Sequence, residues 1–416
     1  MVRSTLFARL LVLRYDVMSV GTNIELTILM PCLNEAETIA TCIDKAAGFL
    51  HRNAIQGEVL VADNGSVDDS VSIAKTHGAR VLSVGVKGYG AALRSGALFA
   101  RGKFIIMGDA DDSYDFSSLD AMLQKLRSGA DLVMGNRFAG EIQPGAMPPL
   151  HRYFGNPALS FIGRVVFGSK VRDFHCGLRG AKRDSLLSLD LQSLGMEYAS
   201  EMVIKAEMNG LSIAQVPIDL HVDGRSRKPH LNTWRDGWRH LRLLMIYASQ
   251  RFYLVPGVIA LLLGGLMELA LSSGPFYLGP IRLAMGTLVV AMFLCTVGAE
   301  AIFLGITTRE YALRNHYLDA PQWRYGTYFT TKAIFSFSVI VAFIGLLVLL
   351  RLLILWDAHA MRYLSASVVM GGLIPTMTLL SIASVGMFSV FMAVLDEPAG
   401  RMNDESLRGQ VKIVAR

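Results

Sequence analysis

Cysteine is rare and charge is thin in this chain of 416 residues: four cysteines in all, and 18% Asp, Glu, Lys and Arg against 52% hydrophobic residues. Cys32, Cys42, Cys176 and Cys295 show neither a CxxC spacing nor a paired histidine pattern, which excludes a zinc site and a disulfide framework. They read as reduced thiols in a cytosol-facing or membrane environment. So little charge, with a mean hydropathy of +0.41, excludes a disordered chain and an ordinary soluble enzyme. The first 20 residues carry Arg3, Arg9 and Arg14 among leucines but lack an uninterrupted apolar core and a small-residue cleavage site, so no signal peptide is expected. Residues 1–24 read as an N-terminal arm, with Met18 as an alternative start. The net charge of +6 suits a membrane surface as well as a nucleic acid and does not choose between them.

What the chain does have is long apolar runs, all beyond residue 253. Four segments, approximately 254–273, 283–306, 333–356 and 364–393, reach the ~20 helical residues that a hydrocarbon core requires. The loop 307–332 carries Arg309, Arg314, Arg324 and Lys332, whereas 274–282 and 357–363 carry only Arg282 and Arg362. The positive-inside rule therefore places that loop, the tail with Arg401, Arg408, Lys412 and Arg416, and the large N-terminal region in the cytosol. An integral, multi-pass protein of a cytoplasmic membrane is the expectation. Glu268 and Glu300 fall inside expected spans, where an ionisable group is costly and is by default a functional candidate; either could be protonated, packed on a neighbouring span or line a lipid passage.

From Leu26 to Gly135 apolar runs alternate with helical stretches: LTILMP then 35–50, EVLVAD then 67–77, ARVLSV then 88–101, KFIIMGD then 116–128, and DLVMG. That alternation predicts a mostly parallel sheet with helices on both faces, and ligands of such sheets bind beyond the carboxyl ends of the strands. The residues there are Pro31 to Glu35, Asp63 to Asp68, Lys87 to Gly90 and Asp109 to Asp115. If extended geometry continues past the fourth strand, Asp109 and Asp111 point to one side, because strand side chains repeat with period two. Two such carboxylates suit Mg²⁺ or Mn²⁺; an acidic solvated loop is the plain alternative. Glu35 and Asp63 end the first two strands, either as acids favoured by a helix start or as part of the same site, and three acidic strand ends at one sheet edge favour the site.

The motifs PCLNEAETI, ADNGSVDDS, KGYGAALRSG, GDADDSYDF, MGNRF, DFHCGLRG and MEYASEMVIKAEMNGLSIAQVPI, in this order over residues 25–230, resemble the family 2 glycosyltransferases of GT-A fold, specifically the polyprenyl-phosphate sugar synthases of the dolichol-phosphate mannose and glucose type. One departure is Asn64, where many members carry a second Asp. The resemblance implies an α/β GT-A domain, Rossmann-like with a mostly parallel sheet, at 25–230, and the apolar runs add a C-terminal α-helical transmembrane domain at 254–395. It implies that Pro31, Leu33 and Glu35 frame the nucleoside, with Asp63 at the base, Lys87 near the diphosphate and Asp109 with Asp111 at the metal. Arg137 would meet the phosphates, and the acceptor region maps to Arg152, Asn156, Asp173, Arg179, Arg225 and Lys228, with Asp111, Arg137 and Asp173 as the catalytic set. Expected partners are a nucleotide-sugar donor, a polyprenyl phosphate acceptor, membrane lipids and no nucleic acid; a homo-oligomer is left open.

The chemistry agrees with the resemblance. A lipid phosphate monoester is ionised at neutral pH, its second pKa lying near ~6, so its oxygen needs no strong general base. Stabilising the departing diphosphate and holding two anions together then fall to a cation and to arginines, and one displacement inverts the anomeric carbon. GYGAALRSG is no dinucleotide fingerprint, since Leu93 stands where the third glycine belongs. Residues 221–251 hold seven basic residues against two acids, and Trp234, Trp238, Leu241, Met245, Ala248 and Phe252 form one stripe, which reads as an interfacial helix at 231–253 or as an amphipathic helix packed on the catalytic domain. Residues 396–416 read as a cytoplasmic tail. UDP-glucose is the favoured donor, with GDP-mannose also compatible; rivals are another lipid-linked acceptor, or a glycolipid transport or scaffold protein whose domain senses nucleotide sugar.

Overall fold

The run LTILMPC is buried almost throughout, as a strand covered on both faces must be, and it forms β1 (Leu26–Cys32) at the middle of the sheet. The computed structural model describes residues 24–227, 233–315, 317–318, 330–358, 369–395 and 409–414. After β1 come α1 (Ile39–Arg52), β2 (Gly57–Asp63), α2 (Ser70–Thr76), β3 (Arg80–Val84), α3 (Tyr89–Phe99), β4 (Phe104–Met107), α4 (Asp120–Arg127) and β5 (Leu132–Asn136). They are followed by α5 (Asn156–Phe167), β6 (Arg179–Lys182), α6 (Arg183–Ser188), α7 (Tyr198–Met208), β7 (Ile213–Pro217) and α8 (Thr233–Tyr247).

The sheet runs β10-β3-β2-β1-β4-β6-β5-β7, where β10 is Val411–Ile413. Strands β3, β2, β1 and β4 are parallel, and β7 is parallel to β5. Strand β6 lies antiparallel between β4 and β5, and β10 antiparallel on β3. Ile28, Met30, Ile43, Val61, Ile106 and Phe116 fill the core between sheet and helices, each fully buried large side chain contributing roughly 1.5–3 kcal/mol relative to exposure.

Two sequence expectations are corrected here. Helices begin three or four residues later than the periodicity places them at α1, α2 and α4, because the polar residues after each strand form side-chain turns instead of a first helical turn. Asp68 Oδ1 accepts the Ser70 N–H at 3.1 Å and Asp115 Oδ1 that of Ser117 at 2.9 Å, while Asn34 adopts φ +57°. For the same reason extended geometry does not reach Asp111: β4 ends at Met107, Asp111 Oδ1 accepts the Ser113 N–H at 3.1 Å, and Asp112 turns through φ +62°.

Residues 245–401 form a second compact unit, while 402–416 group with the first. It contains α9 (Val255–Leu271), a hairpin of β8 (Phe276–Leu278) with β9 (Ile281–Leu283), α10 (Met285–Arg314), α11 (Thr331–Ala358) and α12 (Ile374–Leu395). Four helical stretches, Gln250–Leu271, Met285–Arg314, Thr331–Asp357 and Gly371–Ala393, are long and apolar enough to cross a membrane. Helix α10 outlasts its apolar run by a further two turns, steadied by a Glu310 to Arg314 pair at 2.5 Å. Gly298 lets α9 and α10 touch, since a Cβ there would lie 2.6 Å from the Leu261 nitrogen. Glu268 accepts a hydrogen bond of 2.5 Å from Thr378 Oγ1 on α12, so of its three readings it takes the packed one, whereas Glu300 is exposed on α10. The expected stripe divides: Trp234, Trp238 and Phe252 are exposed, Leu241 and Met245 half-buried and Ala248 buried. Residues 1–23, Lys228, Arg324, Arg362, Arg401 and Arg408 lie outside the described residues.

Candidate active site

Carboxylates from two parallel strand ends meet one guanidinium. Arg225 Nη2 donates to Asp111 Oδ2 at 2.7 Å and to Asp223 Oδ2 at 2.8 Å, and its Nη1 reaches Glu35 Oε1 at 3.2 Å. Arg227 Nη2 adds a second contact to Glu35 Oε1 at 2.5 Å and donates to the Leu33 carbonyl at 3.1 Å. The segment 223–227 thus straps the loops that follow β1 and β4. Glu35 Oε2 and Arg225 Nε are buried here without hydrogen-bond partners.

Asp109 lies deeper. Its Oδ1 accepts the Tyr89 hydroxyl at 2.9 Å, and Oδ2 faces Gly177, where a Cβ would sit 2.3 Å away. No residue larger than glycine fits at 177 without moving this carboxylate. Burial, then the charge of Asp111, raises the Asp109 carboxyl from 3.8 to about 6, against the pull of Tyr89, Arg179 and Arg225. Glu35 is raised too, by burial first, with Arg225 and Arg227 opposing.

The second strand end is self-contained. Asp63 accepts the N–H groups of Gly65 and Ser66, both at 3.1 Å. Asn64 explains its own departure from the acid seen in many relatives of this type: Nδ2 donates to the Val86 carbonyl at 2.6 Å and Oδ1 accepts the Gly88 N–H at 2.7 Å, and an aspartate cannot do the first. Lys87 caps the same turn, donating to the Asn64 carbonyl at 2.7 Å. Pro31 sits in β1 opposite Ala62.

The remaining candidates are placed elsewhere. Arg137 and Asp173 form a buried two-pronged pair, Nε to Oδ2 at 2.7 Å and Nη2 to Oδ1 at 2.8 Å, so this guanidinium is spent on its partner. Arg179 is buried in β6, donating from Nε to the Cys176 carbonyl at 2.5 Å, and its charge acts on Asp109. Arg152 lies over the Tyr153 ring at 5.6 Å, and Asn156 is bonded to Met147 Sδ. Lys228 falls outside the described residues. Sequence reasoning missed Tyr89, Gly177, Asp223 and Arg227; the tyrosine of KGYG and the glycine of DFHCGLRG were legible as motif positions, but their common partner Asp109 was not.

The donor set suits a hard divalent cation: two carboxylates, one already drawing a cationic side chain, beside an orphaned carboxylate oxygen on Glu35. Among the described residues no group of three His, Cys, Asp or Glu is placed to hold a metal ion; Asp109 and Asp111 are the pair that would hold one. Protons compete for Asp109 below about 6, so Mn²⁺ affinity, read from the electron paramagnetic signal of the free ion, is expected to hold steady from pH 8 to 7 and to fall roughly tenfold per unit below about 6. The sign for stability is separate: a carboxyl raised on folding favours the protonated native state, so this group destabilises progressively as pH rises from 3.8 through about 6.

A mostly parallel sheet with helices on both faces and acids at the carboxyl ends of its strands is an α/β class of fold, the one a GT-A domain has. The Glycosyl transferase family 2 model matches residues 27–189. The low-salt glycan biosynthesis hexosyltransferase Agl6 of Haloferax volcanii is 39% identical over 281 residues, 67% of each chain. A dolichyl-phosphate hexose transferase of the same organism is 31% identical over 47% of this chain and 82% of its own. Glucosyl-3-phosphoglycerate synthase of Mycobacterium tuberculosis, solved with Mn²⁺ and UDP, is 22% identical with a TM-score of 0.44 over 55% of this chain and 81% of its own. The chain belongs to the family 2 glycosyltransferases.

Proposed function

We propose that this chain is a membrane-bound inverting hexosyltransferase that moves one sugar from a nucleotide sugar, UDP-glucose by preference and GDP-mannose as the other candidate, to a polyprenyl or dolichyl phosphate. The observation that carries the reading is the acidic pair Asp109 and Asp111 after β4, with Glu35 joined to Asp111 through Arg225, in a chain that also has four helices long and apolar enough to span a bilayer. The name of the dolichyl-phosphate relative supports the acceptor class, and the Agl6 name supports hexose transfer. Residues 25–230 would be the catalytic domain, facing the cytosol, and 254–395 the anchor.

Glu35, Pro31 and Leu33 would frame the nucleoside, with Asp63 shaping the turn beside it. Asp109 and Asp111 would hold Mg²⁺ or Mn²⁺, which when bound supplies Lewis-acid stabilisation of the departing diphosphate. Arg225 and Arg227 now neutralise Glu35 and Asp111. When those acids turn to the donor, the two guanidiniums are freed for the acceptor phosphate, which attacks already ionised. Tyr89 and Arg179 keep Asp109 oriented and partly ionised.

The direct test is purified full-length protein with Mg²⁺ or Mn²⁺, a short polyprenyl phosphate and a panel of UDP- and GDP-sugars, with mass detection of lipid products. One new polyprenyl-phosphate hexose is expected. Product on extracted lipid acceptors but not on the monophosphate would move the assignment to another acceptor, and nucleotide binding with no product on any lipid would sink the transferase reading.

A further inference from the structure

Between Glu141 and Asp173 the chain holds Arg152, Arg164, Lys170 and Arg172 and no acid at all. Within this stretch a wide turn, His151–Gly155, runs into α5 as one helical segment. Its inward face is fixed: Ser160 Oγ accepts the Phe174 N–H at 3.3 Å, and Gly163 lies against the Phe174 ring, which a Cβ would meet at 2.7 Å. With that face pinned, Leu150, Tyr153, Phe154, Phe161 and Val165 are left between 44 and 74% exposed, at the three- and four-residue spacing of a single helical stripe. The arginines flank the rings, Arg152 over Tyr153 at 5.6 Å and Arg164 over Phe161 at 5.9 Å.

A contiguous aromatic and aliphatic face of this kind on a folded unit marks a contact surface, and the chemistry of its rim decides with what. Rings and aliphatic side chains edged by arginine, on a stretch of chain that holds no carboxylate, match a headgroup layer over acyl chains. Another copy of this chain would set Arg152 and Arg164 against the same two arginines, which is unfavourable. The same compact unit carries a second such face: Trp234 and Trp238 of α8 are exposed at 80 and 60%. Both faces are secured to α7, since α5 packs on it and its Ser200 Oγ is hydrogen-bonded to His240 Nδ1 of α8 at 2.9 Å. Burial keeps His240 neutral, its pKa lowered to about 4, so this link persists across the physiological range.

We infer that residues 150–165 form a membrane-contacting face of the catalytic unit itself, seated in an anionic headgroup layer independently of the spanning helices. The inference does not depend on the transfer reaction. All four native cysteines are buried, so a cysteine introduced on the surface can be labelled selectively. Tyr153→Cys and Val165→Cys, each carrying an environment-sensitive fluorophore, are compared in full-length protein reconstituted into phosphatidylcholine vesicles with and without phosphatidylglycerol. Asp184→Cys, whose parent side chain is 98% exposed, serves as the aqueous reference. Lipids bearing a nitroxide high on the acyl chain are expected to quench positions 153 and 165 at least threefold more than 184, with a blue-shifted emission that deepens with phosphatidylglycerol. Quenching equal to that at 184 would overturn the inference, as would energy transfer between labels on two copies without lipid quenching.

Discussion

Asp111→Asn is expected to lower the transfer rate by roughly 10²–10³-fold, the usual loss when one preorganised electrostatic group is removed from developing charge. The amide has the shape of the carboxylate and can still accept from Ser113, whose hydroxyl is 2.6 Å from Oδ1, so the turn after β4 survives. What goes is the charge that Arg225 meets at 2.7 Å and that a divalent ion would share with Asp109. Arg225 retains Glu35 and Asp223, so the strap stays in place. Rates measured across a Mn²⁺ titration should therefore stay low at saturating metal, with membrane insertion unchanged. Activity within threefold of the parent would remove Asp111 from the metal site.

Asp173→Ala should act on folding instead. Arg137 is buried and its guanidinium is committed to Asp173 through two short bonds, with a third from its own backbone N–H at 3.2 Å. Deleting the acid strands a buried cation, at a cost of about 3–5 kcal/mol. For a unit of this size that lowers the thermal midpoint by roughly 10 °C. The double variant Arg137→Met with Asp173→Leu removes both charges and should recover most of the loss, because a buried pair is often replaced by apolar side chains at little net cost. Its activity then separates a chemical role from a structural one. A well-folded but inactive double variant would make the pair part of the chemistry, whereas an active one would leave it a structural pair.

The strands and the spanning helices were legible because each is written as a period: short apolar runs between helical stretches, then apolar runs of about 20 residues. Helix starts were not, because Asp68, Asp111 and Asp115 look like helix-leading acids yet close side-chain turns. Strand β6 was hidden by its composition. RGAK has no apolar alternation, and its buried Arg179 is the kind of residue a pattern assigns to the surface. In the site, the acids of the strand ends were readable from position alone. Their counter-ions were not, since Arg225 and Arg227 lie 114 to 192 residues from the carboxylates they meet, a pairing only the tertiary fold creates. Asn64 was readable as a departure, but its reason lay in two backbone groups beyond the next strand.

Strand β10 carries a constraint of another kind. Val411–Ile413 pairs with β3 in the same sheet that begins at Leu26, yet it is synthesised after all four apolar helices. If the four apolar helices cross a bilayer, a chain whose two flanks are stitched into one sheet cannot leave them on opposite sides of it, and the number of crossings between them would have to be even. The outer edge of β3 also stays unpaired until that late segment arrives, open to strand-pairing errors for the whole time the membrane region is being made. In a membrane-spanning chain the three-residue strand would act as a parity check on insertion: an odd number of crossings would leave β10 on the far side of the bilayer from β3.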